Sequence, residues 1–192
     1  MSKKGAVKVH GEKIWSKSSI ALFANVSAVL THEDGSQDIY YGKNIVTDQG
    51  DRYYASTIVG TLAHVNTTGD FRGTGYMRLG TSLTAAAKSD VDVGSFVPLG
   101  SVVLDATYPK VSDGDTDNTG AGADIVTWRF TFGTGVGNAN SISEAAITSG
   151  ATGYVGGAAG TALTRFLFAS TFNKTSSDTL KVFVNHEMRG TT

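Results

Sequence analysis

The sequence predicts a mainly β protein: an antiparallel β-sandwich or jelly-roll-like domain with one short helix near residues 49–62. Three observations carry that expectation. Roughly seven to nine short runs alternate apolar and polar residues with the period of two that a half-buried strand requires. Turns and long loops rich in Gly, Ser, Thr and Asp separate them, and glycine fills 24 of 192 positions. Only one stretch sets its apolar residues at helical spacing. Many short strands joined in this way suit a sandwich or barrel. The length suits one domain. We divide it into an N-terminal arm or edge strand (1–19), a single β-sandwich domain (20–185) and a polar tail (186–192).

Taken in order, residues 1–13 are polar and basic. Residues 20–30 alternate loosely, with Leu22, Ala24, Val26, Ala28 and Leu30 on one face. Residues 32–36 form a turn with Asp-Gly at its centre, a hairpin signal, and residues 37–46 return as the second strand. Asp48 is the expected N-cap of the helix, with Asp51 in the first turn, where negative charge suits the dipole. Tyr54, Ile58 and Leu62 then follow at helical spacing. A strand is expected at 76–80, an alanine-rich excursion at 81–93 and another alternating run at 96–108. Residues 125–132, IVTWRFTF, are the cleanest strand, with Val126, Trp128, Phe130 and Phe132 on one face. After a turn at 133–140 and a short strand at 141–147, residues 163–184 read as a hairpin around the polar loop 173–178. Phe166, Phe168 and Phe172 are expected to pack against Trp128, Phe130 and Phe132.

The composition narrows function. With no cysteine in the chain, disulfides, thiolate metal centres and a cysteine nucleophile are excluded. The 16 basic and 17 acidic residues leave a net charge of −1, which gives no electrostatic case for nucleic acid or a membrane surface as partner. No apolar run reaches the ~18 residues of a membrane span. The basic first ten residues lead into no apolar segment of a signal peptide, so synthesis in a cytoplasm is expected. Charged residues make up 17% of the chain, below the usual ~25%. Low charge with many small residues suits a surface partly covered by neighbouring subunits.

Candidate sites are few. Asp113, Asp115, Asp117 and Asp124 take positions 1, 3, 5 and 12 of a twelve-residue window, the spacing of hard oxygen ligands in a Ca²⁺ loop. Asn118 stands at position 6 where such loops have Gly, Asp124 replaces the bidentate Glu, and no helices flank the window. These departures favour a solvated surface loop, and no cofactor other than this Ca²⁺ candidate is indicated. Gly133, Gly135 and Gly137 lack both the spacing of a nucleotide loop and a Walker lysine, so they read as a tight turn. His10, His32, His64 and His186 are dispersed and give no support for zinc or a histidine base. Glu144 stands alone among apolar residues. Against a role as catalytic acid, the favoured reading is a carboxylate bonded to backbone N–H groups or to Arg165. Trp128 with Phe130 and Phe132 is either a sugar-binding platform or, more commonly for one strand face, core. No enzyme is expected.

Several motifs together resemble the small virion structural proteins of tailed bacteriophages: head-decoration, neck or tail-associated subunits. They are the W-R-F-T-F strand, residues 138–147 (Asn-Ala-Asn-Ser-Ile-Ser-Glu-Ala-Ala-Ile), L-x-R-x-x-F at 163–168 and Asn-Lys-Thr-Ser-Ser-Asp-Thr-Leu at 173–180. Upstream, Asn44-Ile-Val-Thr47 with Gly50, and Arg78-Leu-Gly-Thr81, extend the likeness to residues 40–184, although Ser82 stands where those proteins more usually have Gly. The resemblance implies a non-enzymatic, β-rich homo-oligomer residing in the virion, made in the host cytoplasm and partnered by its own copies and other capsid or tail proteins. The alternative is a receptor- or glycan-binding module of a fibre, with a host surface glycan as partner.

Overall fold

A computed structural model describes residues 7–12, 16–17, 22–58, 75–112, 125–149 and 162–188. The strands are β1 (Val7–His10), β2 (Ser16–Lys17), β3 (Leu22–Thr31), β4 (Gln37–Val46), β5 (Tyr76–Gly80), β6 (Phe96–Val103), β7 (Lys110–Ser112), β8 (Ile125–Phe132), β9 (Ala139–Thr148), β10 (Ala162–Lys174) and β11 (Thr179–Met188); the helix α1 is Asp48–Ile58. All the strands belong to one sheet, in the order β6-β5-β9-β10-β4-β3-β11-β8-β7, with β1 beside β4 and β2 beside β3. The β1–β4 pair is parallel and every other pair is antiparallel. The sheet curls into a half-barrel. The mainly β class with one helix is therefore as the alternation predicts, although one bent sheet supplies both layers.

Alternation decides which side chains go inside. In β8, Trp128, Phe130 and Phe132 are fully buried, and Leu180, Val182 and Val184 of β11 stand opposite them in register. Val26, Ala28 and Leu30 of β3 continue the row. From the other half of the sheet, Phe166, Phe168, Phe172, Ile147, Met77 and Leu79 join the same core cluster, as do Tyr53 and Tyr54 of α1. The two aromatic triplets expected to pack together thus share one core.

Three expectations need correction. Residues 163–184 do not form a hairpin, because β4 and β3 lie between β10 and β11. Residues 175–178 instead arch from one half of the sheet to the other. Alternation identifies a strand but not its partner, and here the partners come from the N-terminal hairpin. The polar tail expected from 186 does not begin there: β11 runs to Met188, with His186 fully buried. The helix cap is Thr47 rather than Asp48. Thr47 Oγ1 accepts from Gly50 N at 3.1 Å, which satisfies an N–H that the first turn leaves without an intrahelical partner. Gly50 is required for packing, because a Cβ there would lie 2.1 Å from the Leu163 carbonyl oxygen.

Candidate functional site

The outer face of β5, β9 and β10 carries the densest polar arrangement among the described residues. Register places Glu144 opposite Leu167 and Gly80, and Arg165 and Arg78 opposite Ala146, so Glu144, Arg165 and Arg78 share a face. The 81–95 excursion folds over them. Glu144 Oε1 accepts from the backbone N–H of Ser82 and of Ser95, both at 3.0 Å. Its Oε2 accepts from Gly94 N at 3.1 Å and from Arg165 Nε at 2.8 Å. Gly80 leaves room for the carboxylate, since a Cβ there would meet Oε1 at 2.4 Å. Arg165 also donates from Nη1 to Asp90 at 2.7 Å and from Nη2 to the Thr84 carbonyl at 2.9 Å. Burial works against the Arg165 charge, but the bonds from Asp90 and Glu144 outweigh it and hold the guanidinium above its ordinary value. Alongside, Arg78 pairs with Asp92 at 2.9 Å and lies 3.7 Å over the Phe96 ring.

This is the arrangement that the reading of Glu144 as a bonded carboxylate predicts, with both named kinds of partner present. Each carboxylate oxygen accepts two hydrogen bonds, and Glu144 is completely buried. No lone pair is turned to solvent for proton transfer, so the chemistry of the knot is structural: it fastens a loop that has no strand or helix of its own.

Beside it lies a depression of about 220 Å³ lined by Asp48, Gln49, Arg52, Lys88, Ser89, Asp90 and Val91. This is small for a ligand site, which typically takes roughly 300–1,000 Å³. Lys88 pairs there with Asp51.

A second polar network is inside the barrel. Asn44 Nδ2 donates to His186 Nε2 at 2.9 Å. The proton of the neutral imidazole is therefore on Nδ1, which donates to the Tyr54 hydroxyl oxygen, and that oxygen also accepts from Trp128 Nε1 at 3.2 Å. Burial pushes His186 down to about 3, so it stays neutral and serves as a core hydrogen-bonding block.

A third cluster is half exposed, at the tip of the β3–β4 hairpin. Asp38 accepts from His10 Nε2 at 3.4 Å and from His32 Nε2 at 3.3 Å, and His32 Nδ1 lies 3.0 Å from Asp178. Burial pulls His32 down, but its bonds to Asp178 and Asp38 outweigh that and raise it. Those to His32 and His10 likewise overcome desolvation to hold Asp38 below the usual carboxylate range. Along the sequence these histidines are dispersed. The signal that joins them is Asp38, six residues beyond His32 across a turn.

The remaining candidates divide cleanly. Asp113, Asp115, Asp117 and Asp124 lie outside the described residues, as does His64. Among the described residues no group of three or more His, Cys, Asp or Glu is placed to hold a metal ion. Gly135 and Gly137 have φ of +78° and +66°, the left-handed backbone that suits glycine in a turn. Trp128 is fully buried and offers no platform. No described helix is long and apolar enough to cross a membrane. Comparison of the chain with protein-family models, curated proteins and solved structures finds no match.

Proposed function

We propose that the protein is a non-enzymatic structural subunit of a bacteriophage virion, a capsid-decoration, neck or tail component that acts by assembling with its own copies and with other virion proteins. The observation that carries this reading is where the resembling motifs fall. Trp128, Glu144, Arg165, Lys174 and Asp178 are all buried, and each supports packing or a loop: Lys174 Nζ, for example, donates to the Gly133 carbonyl at 3.0 Å and to Asn138 at 3.2 Å. The described surface instead offers apolar residues on strands with a free edge. Leu99 is 81% exposed and Val103 51% on β6, and Val111 is 53% exposed on β7. Strand edges of this kind are templates for association. The glycan-binding alternative cannot use the Trp128, Phe130 and Phe132 face as its platform, because those rings are core; the 64–74 and 150–160 loops, where it would place exposed aromatics, lie outside the described residues. Mass spectrometry of purified virions tests the proposal: peptides of this chain are expected at stoichiometric level, and their absence from intact particles would sink it.

A further inference from the structure

We propose that the strand of residues 7–10 is exchanged between copies of this chain, so that the edge of β4 it covers is a docking site for the same strand of a second copy. This rests on the reading of the protein as an assembling subunit. The site exists because β10 leaves β4. The two strands pair from Thr164 opposite Val46 to Phe168 opposite Gly42, and β10 then breaks register between Leu167 and Phe172 as it follows β9. The edge of β4 at residues 37–40 is thereby left to β1, which pairs with it from Val7 opposite Gln37 to His10 opposite Tyr40.

The hold on β1 is local. It pairs with no other described strand, and Val7 and Val9 are 57% and 59% exposed. Apart from main-chain bonds, its side-chain hold among the described residues is His10. That ring stacks on Tyr40 at 4.6 Å, Tyr40 stacks on Phe172 at 4.4 Å, and His10 Nε2 bonds Asp38. Gly11 follows with φ of +83° and lies close against β10, since a Cβ there would be 2.6 Å from the Ala169 Cβ. The contacts described for this segment are thus contained in residues 7–11, and they do not depend on which chain supplies them. The ring slot and the Asp38 acceptor fit this strand in particular, so a second copy is favoured over an unrelated peptide. An exchanged strand keeps every contact, so the high local concentration of an assembly can drive it at little cost.

The chain has no cysteine, so introduced thiols are the only ones present. Val9 and Ile39 are register partners. Val9→Cys and Ile39→Cys are placed in two differently tagged copies, co-expressed and treated with a short bis-maleimide. The double variant in one chain is treated in parallel. Exchange predicts a product carrying both tags, and multimers from the double variant. A double variant that closes only within its own chain, with no mixed product, would overturn the proposal, and so would thiols that fail to link in either sample. Virions that contain the chain without mixed product would remove exchange and leave the virion role standing. A mixed product from a chain absent from virions would do the reverse.

Discussion

The knot under residues 81–95 and the chain of groups at the β3–β4 tip use the same ingredients, a carboxylate held by basic side chains, to opposite ends. At the knot the base is Arg165, 3% exposed, and its partner Glu144 is fully buried. At the tip the bases are imidazoles, and His32 remains 33% exposed. A guanidinium keeps its charge at every pH a protein meets, so the knot is permanent. An imidazole titrates near neutrality, so the tip is adjustable. His186 completes the lesson. With no carboxylate on either nitrogen, burial alone takes it down, whereas His32, bonded to two carboxylates, goes up. Partners, rather than residue type, set the direction.

The largest expected effect comes from breaking the knot. Arg165→Met leaves Glu144 buried without its countercharge, and such a loss costs about 3–5 kcal/mol. Urea unfolding measures it; a cost below about 1 kcal/mol, the size of a surface pair, would erase the distinction between the two regions. The next concerns His186. Its folded value is depressed, so the unfolded chain binds the extra proton, and stability falls as pH drops from the ordinary 6.5 toward about 3. The expected slope is about 1.4 kcal/mol per pH unit. His186→Gln should be less stable at neutral pH and show a flatter dependence, and equal slopes would refute the assignment. The smallest effect belongs to His32. Its folded value is raised, so its stabilisation is full below 6.5 and fades as pH climbs through the folded value. Solvent screening keeps this below about 1 kcal/mol. NMR titration of the His32 ring should show it above 6.5 in the native protein and lower in Asp38→Asn; an unmoved value in that variant would detach the two residues.

Much of this is legible in the sequence. Glu144 among apolar neighbours required a partner, because a buried charge without one is costly, and Arg165 was the basic residue of a nearby strand. The strands at 37–46, 76–80 and 125–132 follow from alternation because each has one face in the core. What alternation could not supply was pairing. The apolar faces of β10 and β11 look ready for each other, and only the competing long-range register of β3 and β4 separates them. The tip cluster was equally hidden: His10, His32 and Asp178 are far apart in sequence and meet only because β1, the hairpin and the arch end together. Thr47 does not stand out as the cap in the sequence because the neighbouring Asp48 offers the same chemistry.

The separation of β10 from β11 also bears on how the protein is made. The two middle strands, β3 and β4, come from the beginning of the chain, and both strands that flank them come from its end. During synthesis the β3–β4 hairpin can gain β1 and β2 at once, but the rest of its two edges must wait for β10 and β11 to leave the ribosome. A chain stopped before residue 162 lacks both long strands that flank β3 and β4, so the middle of the sheet closes only after β10 and β11 have been made.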